Sequence, residues 1–263
     1  MIQAYFGLKH IPFGKDLKSA DLIQTFDLRE ATARLNHIKQ HRGIMALTGE
    51  PGSGKTTLLR KWVDELNPQS FLHCYTPHTT VSRNDMYRQI NTLLNLPPKS
   101  RKSDLFRQIQ NTIWHHYQQG KVTCLIFDEC QLMDHATLQE LVLITNFEMD
   151  SRLPFIVILV GQPEFKDILT RAIHEPLRQR IQIRYHIAGL SVDECKMFVE
   201  EHLRLAGRKD PLFDNECFPI MHQLTSGLPR NVGKLAINAM QMAMIQQTQT
   251  ITTDMLIKVA AEL

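Results

Sequence analysis

No apolar run in this chain approaches the ~20 residues that a helix needs to cross a bilayer; the longest spans roughly residues 153–161. The opening segment, MIQAYFGLKHIPFGK, lacks a basic stretch followed by an apolar one, so no secretory leader is expected. The five cysteines (Cys74, Cys124, Cys130, Cys195, Cys217) are odd in number and widely spaced, with no CxxC pair and no Cys/His cluster at metal-ligand spacing. Neither a disulfide framework nor a structural zinc is expected, and Cys124, inside an apolar run, is expected as a buried free thiol. Repeats and low-complexity tracts are missing too. Neither sign of charge dominates: 30 Lys and Arg stand against 27 Asp and Glu, a net charge of +3. That balance permits a nucleic-acid partner without requiring one. A hydrophobic fraction of 43% and a charged fraction of 22% are those of a globular protein. The expectation is a soluble cytoplasmic protein without a membrane partner.

The 263 residues suffice for one large α/β unit and a smaller companion. Short apolar strands alternate with amphipathic helices up to about residue 187. Strands are expected at 43–48, 71–75, 122–127, 155–160 and 181–186, and helices at 28–40, 54–66, 83–94, 103–119 and 136–146. Such alternation implies a parallel sheet covered by helices on both faces. After Gly189 the strands stop, and helices are expected at 191–206, 215–225, 230–245 and 253–262. Ser191 with Glu194 fits a capping box, and Gly207 fits a helix stop. The expected division is therefore an α/β nucleotide-binding domain over 1–187 and an all-helical lid over 188–263.

Gly49-Glu50-Pro51-Gly52-Ser53-Gly54-Lys55-Thr56 satisfies G-x-x-x-x-G-K-[ST] in full, after an apolar strand and before a helix. Glycines let the backbone turn its N–H groups inward on phosphates, and the helix N-terminus adds favourable partial charge. Lys55 is placed to counter the β- and γ-phosphates, the Thr56 hydroxyl to ligate Mg²⁺, and Thr57 to extend the same loop. Cys124-Leu125-Ile126-Phe127-Asp128-Glu129 is an apolar strand ending in two carboxylates. Asp128 suits the Mg²⁺, and Glu129 suits polarisation of an attacking water. The strand 155–160 ends at Gln162, which is either a reader of the γ-phosphate and its water or an ordinary turn amide. ATP and Mg²⁺ are the expected cofactors.

These motifs together resemble an AAA+ ATPase, a P-loop sheet followed by a helical lid. The resemblance covers nearly the whole chain. It implies an arginine finger acting on the neighbouring subunit's nucleotide, carried here by Arg178 or Arg180 within Glu175-Pro176-Leu177-Arg178-Gln179-Arg180. The alternative is a surface arginine paired with Glu175. Ser226-Gly227-Leu228-Pro229-Arg230 is similar to the lid motif whose arginine contacts the nucleotide, which makes Arg230 the corresponding residue. Tyr5-Phe6-Gly7-Leu8 and Ile11-Pro12-Phe13 either wall an adenine pocket or simply pack on the domain.

The stretches YFGLKHIPF, LTGEPGSGKTTLLR, LIFDECQLM, ILVGQPEF, PLRQRI and GLPRNVGKLA resemble a narrower group. It holds the ExeA/GspA secretion ATPases and the DNA-transposition ATPases of the MuB, TnsC (TniB) and IstB kind. The secretion members carry a transmembrane helix and a periplasmic extension beyond the ATPase core. Neither precedes Leu263, so the expectation is a transposition regulator. That resemblance implies ATP-dependent homo-oligomerisation on double-stranded DNA without sequence preference, as a ring or a helical filament, hexameric or heptameric per turn. It also implies a transposase and a targeting protein as partners, and disassembly on hydrolysis. The implied DNA contacts follow the second strand: Lys99, Arg101 and Lys102, then Arg83 and Thr79. A solvated basic loop is the plainer reading of the same run. Trp114 and Tyr117 are expected to pack rather than to stack on bases. A secretion-type ATPase and a helicase-loader or initiator-type AAA+ protein are the alternatives.

Overall fold

The computed structural model describes residues 1–14, 23–77, 79–147 and 153–261. In chain order it contains α1 (Ile2–Phe6), α2 (Phe26–His41), β1 (Gly43–Gly49), α3 (Lys55–Asp64), β2 (Phe71–Thr76), α4 (Arg83–Leu93) and α5 (Lys102–Gln118). Then come β3 (Val122–Phe127), a 3-10 turn (Cys130–Leu132), α6 (His135–Ile144), β4 (Ile156–Gly161), α7 (Pro163–Thr170), a second 3-10 turn (Ala172–His174), α8 (Glu175–Arg180) and β5 (Ile181–Ile187). The chain closes with α9 (Val192–Leu205), α10 (Cys217–Thr225), α11 (Pro229–Ile245) and α12 (Thr253–Ala260). The five expected strands and the helices between them are present. Three short helices, α1, α7 and α8, were not expected, because five to eight residues are too few to show a helical period. An isolated parallel bridge between Phe213 and Ile251 adds extended pairing after Gly189, where none was expected. Glu262, expected in the last helix, lies outside the described residues, as does His78.

The sheet is parallel throughout, in the order β2-β3-β4-β1-β5. Every residue of β1, β3 and β4 is buried. Their near-continuous apolar sequences are what a strand covered on both faces requires. The edge strand β5 instead alternates buried ends with exposed Gln182, Arg184 and His186. In register, Thr48 lies opposite Gly161 and Phe127 opposite Leu159, so β1, β4 and β3 deliver Gly49, Gln162 and Asp128 to one edge of the sheet. Open parallel sheets bind ligands at that carboxyl edge.

The chain folds as two compact units. One comprises Arg29–Gly49 and Leu58–Ile187, the other Met1–Leu28, Glu50–Thr57 and Ala188–Leu263. The sheet unit has a core of Ile44, Ala46, Leu125, Phe127, Val157 and Leu159 against α4 to α8. Trp114 packs there with Tyr117 and Phe147, and Arg42 covers Tyr117 at 4.6 Å. All five cysteines are free and buried. Burial pushes the Cys74 thiol up to about 12 and those of Cys195 and Cys217 up to about 11, which leaves them protonated at neutral pH.

In the helical unit, Phe6 and Leu8 enter the core made by α9 to α12. The Tyr5 hydroxyl donates to the Thr248 carbonyl at 3.1 Å. Phe13 stacks on Phe198 and lies 5.0 Å from the His202 ring. These N-terminal aromatics thus pack on the helical unit. Burial lowers His202 to about 4, so it is neutral near pH 7. Ser191 and Glu194 form the expected capping box, and Glu194 also accepts the Phe26 N–H at 2.6 Å. Where this unit resumes after β5, main chain meets main chain: a β-carbon on Gly189 would lie 2.2 Å from the Ser226 carbonyl oxygen. One on Gly227 would lie 2.1 Å from that of Leu190. Leu190 N–H donates to the Gly227 carbonyl at 2.7 Å across the same junction.

Among the described residues, no helix is long and apolar enough to cross a membrane.

Candidate active site

The phosphate loop lies in the helical unit. Gly52 and Gly54 adopt φ of 86° and 98°, a region that L side chains rarely enter. Lys55 opens α3 and is 8% exposed, with its ammonium donating to the Glu50 carbonyl at 3.0 Å. Ser53 N–H donates to the same carbonyl at 3.1 Å. The Ser53 hydroxyl is buried without a hydrogen-bond partner. An orphaned hydroxyl beside two left-handed glycines and a helix N-terminus fits a triphosphate, which supplies acceptors for such donors. Pro51 and Thr56 are exposed, and Thr57 is half-buried.

Arg230, at the start of α11, closes onto this loop. Its N–H donates to the Gly52 carbonyl at 3.3 Å. A β-carbon on Gly52 would stand 2.7 Å from the Arg230 β-carbon, so glycine is needed there for φ and for space alike.

The acid turn is built in the sheet unit. Asp128 is 6% exposed and continues β3. Its Oδ2 accepts the Tyr75 hydroxyl at 2.7 Å, and its Oδ1 accepts the Glu129 N–H at 2.9 Å. Burial, then the bond to Asp128, pushes the Tyr75 phenol up, so it remains a donor across the neutral range. Glu129 sits at φ 53°, a left-handed conformation that a non-glycine residue holds only when its neighbours fix it. Three contacts do so. Its carbonyl accepts the Thr79 hydroxyl at 3.0 Å, and its Oε2 accepts the side-chain amides of Gln131 at 2.7 Å and Gln162 at 3.2 Å. Gln131 Oε1 in turn accepts the Gln162 N–H at 3.0 Å. Asp128, Glu129 and Gln162 thus come together as one hydrogen-bonded group.

Other expected residues fall in different surroundings. Arg178 pairs with Glu175 on its own helix, and its carbonyl accepts Arg184. Arg180 is half-buried in the last turn of α8. Lys99 and Arg101 are exposed ahead of α5. Arg83 and Lys102 both approach Glu140. Thr79 requires correction as a DNA contact: it is 2% exposed and its hydroxyl is engaged by Glu129, so it supports the acid turn. Tyr75 and Gln131 were missed. Tyr75 near the end of β2 and Gln131 in LIFDECQLM were visible in the sequence, but only pairing of β3 with β2 on one side and β4 on the other shows what they reach.

A family model described as AAA domain matches residues 37–169, just over half of the chain. The chain belongs to the AAA domain family. As such it is a nucleotide-binding P-loop ATPase. It is also similar to General secretion pathway protein A of Aeromonas hydrophila, 30% identical over 243 residues, or 91% of this chain and 44% of that relative. The chain therefore spans under half of that relative's length. Among solved structures, the Aeropyrum pernix ORC2 protein matches with a TM-score of 0.66 and 16% identity, over 95% of this chain and 71% of the other. Drosophila ORC bound to DNA also gives 0.66, at 15% identity, over 99% of this chain and 64% of that one. At such identities the likeness concerns the AAA fold alone.

Proposed function

We propose that this AAA domain is an ATP-dependent regulator of DNA transposition, which assembles on double-stranded DNA and presents itself to a transposase and a targeting protein. The observation that carries the hydrolytic part is the bonded group Tyr75–Asp128–Glu129–Gln131–Gln162. A protein that only sensed nucleotide would have no use for a glutamate fixed in a strained backbone by three neighbours. In this reading the amides of Gly49 to Thr57, including those of Glu50, Gly52, Ser53 and Gly54, cradle the phosphates, and Lys55 counters their charge. Thr56 and Asp128 hold Mg²⁺, which when bound neutralises phosphate charge. Glu129 polarises a water as its oxygen bonds to the γ-phosphorus and the bond to the β–γ bridging oxygen breaks, while Gln162 orients the same water. Arg230 reaches the nucleotide from the lid (188–263), and Arg178 or Arg180 reaches a neighbouring subunit's phosphates.

Exposed Lys99 and Arg101 support the DNA part, because contacts to a phosphate backbone need cations rather than base readout. ATP turnover is expected to rise when duplex DNA is added at low salt. Replacing Lys99 and Arg101 together by Ala should remove that rise, lowering the salt dependence of binding by about one unit of slope per cation. Turnover indifferent to DNA, with no duplex binding, overturns this reading.

The identity with General secretion pathway protein A favours a second reading, a secretion-type ATPase. That reading expects no response to DNA and recovery with membrane fractions from cells.

A further inference from the structure

We infer that Glu140 is an internal competitor for the phosphate contacts of Lys102, so that the basic surface meets a duplex below its nominal charge. The inference rests on the DNA reading above and specifies how the strength of that surface is set.

Glu140 lies on α6, and its side chain is only 4% exposed. Groups from two other helices converge on it. The Tyr87 hydroxyl, from α4, donates to Oε2 at 2.7 Å. The Lys102 ammonium, from the first residue of α5, hydrogen-bonds Oε1. The Arg83 guanidinium, from the first residue of α4, stands 3.8 Å from the same oxygen. Burial, then the bond to Glu140, raises the Tyr87 phenol, so it remains a donor. Lys102 and Arg83 themselves are 39% and 54% exposed. The carboxylate is inside, and the cations straddle the boundary with solvent.

Two helix N-termini carry these cations, although the partial positive charge there disfavours them. Glu140 compensates. A buried carboxylate in turn needs its cation, since desolvation penalises an unpaired charge. Arg83 is also influenced by Asp134, which caps α6, and Lys102 lies 5.9 Å from the Tyr87 ring centre. Lys102 is therefore the residue whose charge Glu140 most directly balances. Binding to a duplex gains from releasing condensed counterions, about one per phosphate neutralised. A lysine already balanced by a buried carboxylate contributes little to that release, whereas Lys99 and Arg101 contribute fully.

The test is a fluorescence-anisotropy titration of a labelled duplex, with ATP present, across a salt series. Wild type, Glu140→Gln, Lys102→Gln and the double variant are compared after melting curves confirm folding. Glu140→Gln is expected to bind more tightly, with a salt slope steeper by about one. Lys102→Gln should change the wild type little yet cancel most of the gain in the double variant, a coupling that loss of a negative charge alone would not produce. Equal affinity and slope for wild type and Glu140→Gln overturns the inference and leaves the DNA reading standing. So does an equal effect of Lys102→Gln in both backgrounds. Failure of the wild type to bind duplex at low salt overturns both.

A second measurement needs no variant. In lysine footprinting of the wild type, duplex is expected to protect Lys99 strongly and Lys102 weakly. Equal protection counts against the inference.

Discussion

The phosphate loop is built almost wholly from backbone, and the acid turn from side chains. In the loop, Gly52 and Gly54 turn the main chain, Glu50 offers a carbonyl, and even the bond from Arg230 is made through its N–H. At the acid turn, Glu129 is held by Thr79, Gln131 and Gln162, and Asp128 by Tyr75, residues from separate segments of the chain. The difference teaches where each half is vulnerable. Backbone construction fails when a side chain is added, and side-chain construction fails when one is taken away.

Substitutions can break or sharpen that contrast. The largest effect is expected from Lys55→Ala, which should abolish tight nucleotide binding and lower turnover by ~10²–10³ or more, read by nucleotide titration and steady-state phosphate release. Normal affinity and turnover would contradict the assignment of the loop. Glu129→Gln comes next: turnover drops by ~10²–10⁴ while nucleotide still binds. Parallel loss of both would place Glu129 in binding rather than in chemistry.

Gly52→Ala adds a β-carbon at φ 86° and 2.7 Å from that of Arg230. Backbone strain of ~1–3 kcal/mol should weaken nucleotide affinity by roughly fivefold to 150-fold. An unchanged dissociation constant would show that the loop tolerates side chains after all. The smallest effect is expected from Gln131→Ala, which removes one of two amide donors to Glu129. At ~0.5–1.5 kcal/mol this lowers kcat by roughly twofold to tenfold with KM little altered. A shift confined to KM would instead tie Gln131 to nucleotide binding.

The same contrast explains what could be read in advance. The loop was legible because glycine spacing and a following helix form a local pattern, whereas Arg230 was named only through the resemblance of Ser226-Gly227-Leu228-Pro229-Arg230 to a lid motif. The strands were legible because β1, β3 and β4 are covered on both faces and so consist of little else than apolar residues. Tyr75 and Gln131 were hidden for the opposite reason. Nothing near Tyr75 in sequence announces Asp128, 53 positions away, and a glutamine two residues past Glu129 is silent until the chain turns back on itself. Thr79 was placed among the DNA contacts because the resemblance points to the stretch after the second strand, whereas the fold turns its hydroxyl onto the Glu129 carbonyl.

The pairing of Gly189–Leu190 with Ser226–Gly227 has a consequence for how this protein can diverge. Bonds made by carbonyls and amides are indifferent to which side chains surround them, so mutations over the outer faces of α9 and α10 leave this pairing untouched. At the two glycines the tolerance vanishes, since even one methyl group wedges the two stretches of main chain apart. Around this pairing the flanking helices can change their side chains freely, provided those two positions keep nothing but hydrogen.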